Sequence, residues 1–233
     1  MPPLTGSVPN SHRLIAALGH SLTVGGVDLI AVFPSEKWDP EDRSLLVGAR
    51  SVIVVGSSGQ RLWKRFTAWA AEAPRARLVD DLHPLDRYVT TVLDRGDALL
   101  AQAGVRARRF EPTLACVPRL DFRRLAELSG LGSRSPIGMI IHPVYGPWWA
   151  LRGAWIVERA LAETPSLARP CDGCPAPCRA TIPEGTEGTI AAATPAARGA
   201  CVLSQHRYSD EQLDYHMRPD EGRRRLAAQF GIV

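Results

Sequence analysis

Leu14, Ile15, Leu18 and Leu22 recur at helical spacing between about residues 10 and 25, after which GGVDLIAVF reads as a turn entering a strand. RSVIVVGS is a continuous apolar run of the kind a sheet buries on both faces. A helix is expected over about residues 62 to 73. A longer one begins near HPLDRYV, where Leu85, Tyr88, Val89, Val92 and Leu93 form one apolar stripe continued by Leu99 and Leu100, and Gly104 supplies its stop. VRARRFEP reads as a further strand. Asp121 can then cap a short helix whose Phe122, Leu125 and Leu128 face inward, with SGLG closing it. Two β-type runs follow, Ile137 to Ile141 and Trp148 to Val157, and the Pro/Gly turn between them predicts a hairpin. SDEQLDYHM opens with a serine followed three residues later by Gln212, a capping-box pattern, and a second short helix is expected from Pro219 to Phe230.

The expected class is therefore α/β (α+β), with an α/β core over residues 1–162 and a tail over 163–233. In that tail small residues, prolines, glycines and four of the five cysteines gather between residues 163 and 201. No internal repeat is visible. A chain of 233 residues, 45% hydrophobic and 22% charged, has ample material for a core and is not of disordered composition. The net charge of +4 comes from arginine, since lysine occurs only at positions 37 and 64. Its densest groups, RARRF and GRRRL, are short and lack the interleaved aromatics of single-strand binding, so nucleic acid is not an expected partner. MPPLTGSVPNSHRL has no basic start followed by an apolar run, and no apolar stretch is long enough for a membrane span. A cytoplasmic location is the resulting expectation, and an intracellular cysteine cluster points to metal or redox chemistry.

LSGLGSRSPIGMIIHPVYGPWWALRGAWI, from Leu128 onward, resembles the corrinoid-binding core of epoxyqueuosine reductases and of corrinoid reductive dehalogenases. In those families a helix ends in Ala-Gly-Leu-Gly, an apolar strand follows, and a Pro-x-Tyr-Gly turn leads into another strand. The WALRG continuation is similar to cobalamin-processing proteins of the CblC type. The resemblance implies a nitroreductase-like fold, a mixed sheet flanked by helices, and a cobalt corrinoid, with His142, Tyr145, Gly146, Trp148 and Arg152 as the cofactor-binding candidates. Their chemistry suits that role: Tyr145 and Trp148 offer apolar faces, with Trp149 beside them, Gly146 admits close backbone approach, and Arg152 can meet a propionamide or phosphate oxygen. His142 is read as a hydrogen-bonding residue of the turn, because a strong imidazole ligand opposes the low coordination this chemistry needs. His206 and His216 are reserve metal candidates.

CDGCPAPC places Cys171, Cys174 and Cys178 together, with Cys201 downstream. The ferredoxin spacing is C-x2-C-x2-C-x3-C-P. Here the third cysteine is one residue late, the last position reads Ile182-Pro183, and no second segment follows. Two clusters are excluded, because four thiolates cannot supply eight ligands. Cys171, Cys174, Cys178 and Cys201 can hold one [4Fe-4S] cluster, or one tetrahedral zinc, or remain thiols able to close a disulfide. Where epoxyqueuosine reductases carry a proton-donating acid in an Asp-Ser-x-Pro context, this chain has Cys116, which also reads as a small buried hydrophobe. No catalytic residue is assigned.

The function expected from these residues is that of a corrinoid (cobalamin)-binding protein that handles or reduces its cobalt, served by an electron-donor protein. The alternatives are a single-cluster iron–sulfur oxidoreductase without corrinoid, and a noncatalytic zinc-stabilised binding module. The sequence does not specify oligomeric state.

Overall fold

A computed structural model describes residues 11–113, 118 and 120–232. The helices are α1 (Ser11–Val24), α2 (Arg61–Ala71), α3 (Pro84–Gln102), α4 (Phe122–Leu128), α5 (Pro195–Gly199), α6 (Asp210–Met217) and α7 (Pro219–Gln229). The strands are β1 (Leu29–Pro34), β2 (Ser51–Ser58), β3 (Ala107–Phe110), β4 (Ser133–Arg134), β5 (Ile140–Ile141) and β6 (Trp149–Val157). Several boundaries follow from local chemistry. The Asp121 carboxylate accepts from the amides of Arg123 and Arg124 to start α4, and the Ser209 hydroxyl accepts from the amide of Gln212 to start α6. Pro84 opens α3, where a missing N–H costs nothing.

The main sheet has the order β1-β2-β6-β3, and every pairing in it is antiparallel, where a mixed sheet was expected. Side chains alternate between its faces. Val32, Ile53, Val55, Trp155 and Val157 join α1, α2 and α3 in one cluster, while Ala31, Phe33, Val52, Val54, Phe110, Ala154 and Ile156 join Trp38, Leu45 and α4 in another. Every residue of β2 is buried because the strand is paired on both edges and covered on both faces. The α/β class read from the sequence is therefore borne out.

The expected hairpin between residues 137–141 and 148–157 does not form. Ile140 and Ile141 pair with Arg134 and Ser133, while β6 lies between β2 and β3. Among the described residues, one isolated β-bridge, between His142 and Gly146, spans the turn. The cause is competition: β6 satisfies both edges with strands distant in sequence, leaving the short apolar run to fold back on the segment after α4.

A bulge lies within β6. Val55 pairs with Gly153 and Gly56 with Leu151, so Arg152 is the extra residue. Leu151 and Trp149 consequently join the α4 side of the sheet.

After residue 163 the chain first borders β1, where the amide of Thr164 donates to the carbonyl of Val32 (2.9 Å). The cysteine-rich stretch has a small cluster of its own, with Ile137, Ile141, Cys178 and Ala197. Tyr215 of α6 and Leu226 and Ala227 of α7 belong to the main cluster beside α1 to α3. No helix among the described residues is long and apolar enough to cross a membrane.

Candidate functional site

The HPVYGPWW turn is a compact hydrogen-bonded unit. The His142 amide donates to the Gly146 carbonyl (3.0 Å) and the Gly146 amide returns to the His142 carbonyl (2.8 Å). His142 Nδ1 accepts from the amides of Val144 (3.0 Å) and Tyr145 (3.3 Å), so a neutral ring carries its proton on Nε2. Burial, with a smaller contribution from His206, lowers its pKa to about 4. His142 is thus the hydrogen-bonding residue of the turn and, in this arrangement, has no lone pair free for a metal.

The candidate ring-binding residues separate into two groups. His142 packs against Tyr145 with the rings tilted (4.7 Å between centroids) and meets Trp149 edge-on (5.5 Å), and the Trp149 indole donates to the Ile140 carbonyl (2.9 Å). Trp148 is 1% exposed and covered by the tail: Tyr208 meets it edge-on at 5.5 Å and the Arg198 guanidinium lies 4.7 Å from its ring centroid. Gly146 has φ +58°, and a Cβ there would come within 2.2 Å of the Leu203 carbonyl oxygen. The close approach that glycine permits is therefore filled by the tail. Arg152 is turned inward by the bulge and donates from Nε to Ser57 Oγ (2.8 Å). Trp148, Gly146 and Arg152 thus lie beneath or beside residues 198–216 and present no open wall.

An open trough lies on the α4 side of the sheet. One cavity, about 240 Å³, is lined by residues including Phe122, Arg123, Met139, Ile140, Trp149 and Leu151. It adjoins a second of about 420 Å³ through Pro112, Phe122 and Arg123, and Glu111 and Asp121 border the second cavity. Its volume and mostly apolar walls suit a sizeable flat ligand. Sequence reading missed Phe122, Met139 and Ile140, which periodicity assigned to helix and strand interiors. Cys116 lies outside the described residues.

The four tail cysteines come together. Cys171, Cys174, Cys178 and Cys201 all line one small cavity of about 20 Å³, closed on its other side by Ser135, Pro136, Ile137 and Ile141. All four are free thiols. Burial, then the neighbouring thiols, raises the Cys171 pKa to about 11, and burial also raises Cys178 and Cys201. Among the described residues no three His, Cys, Asp or Glu side chains stand close enough to share one metal ion. A tetrahedral zinc would draw its sulfurs to about 3.8 Å apart, given Zn–S bonds of about 2.3 Å. A four-iron cluster, with each thiolate on a different iron, suits a wider ring of sulfurs, and the donor set fits it in number and kind. Residues 135–141 form a partition: Ile137 and Ile141 face the thiol cavity, while Met139 and Ile140 line the trough.

His206 meets Tyr145 edge-on (4.8 Å), and His216 lies beside Tyr208 (5.6 Å) with its pKa lowered to about 3, chiefly by burial. Neither reaches the thiol cavity. The arginine groups noted in the sequence are largely committed within the chain. Arg106 pairs with Glu158, Arg109 with Asp94, Asp97 and Glu111, Arg223 with Asp220, and Arg225 with Asp214 and Glu221.

No family model matches the sequence, and no curated protein matches it. Solved structures do. The B12-trafficking protein CblC of C. elegans is 13% identical with a TM-score of 0.61, covering 94% of this chain and 96% of that one. An epoxyqueuosine reductase from Bacillus subtilis is 17% identical with a TM-score of 0.58, covering 84% of this chain and 66% of that one. A reductive dehalogenase whose structure concerns B12-dependent dehalogenation is 12% identical with a TM-score of 0.56, covering 98% and 37%. The chain spans only 56% of another epoxyqueuosine reductase that it matches. What is shared with these proteins is the fold, the nitroreductase-like architecture that the motif at residues 128–157 led us to expect.

Proposed function

We propose that this chain binds a cobalt corrinoid in the trough and handles or reduces it, with one [4Fe-4S] cluster on Cys171, Cys174, Cys178 and Cys201 as the electron relay. The observation that carries this reading is the partition at residues 135–141, which has the four thiols on one side and the trough on the other. Two redox groups held in these sites would be separated by a single stretch of backbone.

Phe122, Met139, Ile140 and Leu151 would bury the faces of the macrocycle, and Trp149 would form the trough's end wall, held by its bond to the Ile140 carbonyl and by His142 behind it. Arg123 at the rim would meet an amide or phosphate oxygen of the ligand's periphery. When bound, the corrinoid supplies a cobalt centre that accepts electrons and exchanges its axial groups. The protein's part is to exclude water from the ring and to present no imidazole lone pair to the metal. Trp148, Gly146 and Arg152 would act less directly, by docking the thiolate-bearing tail. An electron-donor protein would reach the cluster from the outer side, where Cys171, Cys174 and Cys201 retain partial exposure.

The test is anaerobic purification after growth with cobalamin and iron, followed by cobalt, iron and zinc analysis and a visible spectrum. Retained cobalt with iron and sulfide supports the proposal. Iron without cobalt, also after incubation with cob(II)alamin, would leave a cluster oxidoreductase, and one zinc with no colour would leave a structural module.

A further inference from the structure

A further cavity, of about 620 Å³, opens between the segment 38–45, which links β1 to β2, and the residues that lead into α4. It meets the trough at Leu120 and Asp121, which border both. Its floor is apolar, because Trp38 and Leu45 belong to the core cluster on the α4 side of the sheet and present a face to the cavity. Its rim is charged, with Asp39, Glu41, Asp42 and Asp121 set against the one guanidinium of Arg124. A chain of net charge +4 thus carries a strongly negative bowl here.

These carboxylates are held in place without being neutralised. Asp42 Oδ1 accepts from the Ser44 amide (3.0 Å), and Asp121 Oδ1 from the amides of Arg123 (3.0 Å) and Arg124 (3.1 Å). The second oxygen of each, and both oxygens of Glu41, have no partner among the described residues. Asp39 pairs with the exposed Arg43 (2.8 Å), and Arg124 pairs with none of the four. Carboxylates alone would make no more than a solvated rim. The indole of Trp38 adds a second, independent demand. Trp63, Trp149 and Trp155 each donate their indole N–H within the chain, but Trp38, only 6% exposed, has no acceptor among the described residues. Unlike the Trp148 nitrogen, its nitrogen is not sealed in the core, and the space beside its ring is the cavity. Buried polar groups are nearly always paired, so this donor asks for an acceptor that enters the cavity.

We infer that this cavity binds a small organic cation: a protonated amine that also carries a hydrogen-bond-accepting oxygen and an apolar body. The ammonium meets the free oxygens of Glu41, Asp42 and Asp121, the oxygen accepts from the Trp38 N–H, and the body lies on Trp38, Leu45 and Leu120. The caps fix the carboxylates beforehand, so little ordering remains to be done on binding. A bare metal ion fits less well, since among the described residues no three acidic side chains stand close enough to share one. An anion is opposed by the four carboxylates. A molecule held here lies next to whatever fills the trough, but the inference does not rest on the corrinoid reading.

The experiment titrates the full chain, free of cobalamin, with leucinamide at low ionic strength and about pH 6, where the amine is protonated. Calorimetry and the indole N–H resonances follow binding. Two relatives of the probe separate its parts: N-acetylleucinamide lacks the cation, and 3-methylbutylamine lacks the carbonyl. The expected result is saturable binding of leucinamide with a shift of the Trp38 resonance, identified by its loss in Trp38→Phe. Binding of 3-methylbutylamine should be weaker by about threefold or more, and N-acetylleucinamide should not bind. Glu41→Gln, Asp42→Asn and Asp121→Asn, the last two retaining an acceptor for the cap amides, should each weaken leucinamide by about threefold, while Glu184→Gln on the surface leaves it unchanged. Should Trp38→Phe fail to fold, the three probes on the unmodified chain still decide. No saturable binding, equal binding of either relative, or an unchanged affinity in all three carboxylate variants would each overturn the assignment.

Discussion

Trp148 and Trp149 are adjacent in the chain and serve different neighbourhoods: Trp148 lies under Tyr208 and Arg198 of the tail, and Trp149 walls the open trough with its indole bonded to the Ile140 carbonyl. The split follows from the alternation of an extended segment, and the bulge at Arg152 decides which face each tryptophan takes.

The two tryptophans should therefore fail differently. Trp148→Ala removes a fully enclosed side chain and should cost about 3–5 kcal/mol in urea unfolding. Trp149→Phe keeps most of the packing, loses the bond to Ile140, and should weaken cob(II)alamin binding while changing stability by about 1 kcal/mol. Equal effects of the two on stability and on binding would contradict separate roles.

Gly146→Ala forces a side chain into the left-handed region and against Leu203, so it should destabilise by more than about 1 kcal/mol. Limited proteolysis checks the location of the damage: cleavage should accelerate within residues 198–208 before it does in the core.

Stability should fall on acidification. His142 and His216 have folded pKa values of about 4 and about 3, below the ordinary 6.5 of the unfolded chain, and the unfolded state therefore binds more protons as pH drops. Their contribution is complete above about pH 6.5 and is lost progressively down to about pH 3–4, with a slope of about 1.4 kcal/mol per pH unit for each histidine. Urea midpoints at pH 7, 6 and 5 measure this, and His142→Asn, which retains an acceptor for the turn amides, should reduce the slope.

Replacing any of Cys171, Cys174, Cys178 or Cys201 by serine should lower the iron content from about four per chain after anaerobic reconstitution. Cys116→Ser should leave it unchanged. Iron assay with sulfide analysis separates the two outcomes, and an equal loss in Cys116→Ser would redraw the ligand set.

Much of this was legible along the chain because its causes are local. Asp121, Ser209 and Pro84 sit where caps and first turns require them, and the apolar run of β2 announces a strand buried on both faces. The thiol cavity was legible as a set of residue types, although only the path of the chain through α5 brings Cys201 beside the other three. Pairing was not legible: β6 chooses β2 and β3, distant in sequence, over the apolar run just before it. Nor was the direction of Trp148, Trp149 and Arg152, because a bulge reverses the alternation that a strand pattern assumes. The trough escaped for a related reason, as Phe122, Met139, Ile140 and Leu151 come from three elements and none carries distinctive chemistry.

The most direct test of the account is the paramagnetic resonance spectrum of cob(II)alamin mixed anaerobically with the purified chain. Binding in the trough, with no imidazole ligand from the protein, predicts conversion to the base-off form and about one cobalt per chain retained through gel filtration. An unchanged base-on spectrum with no retained cobalt would contradict it.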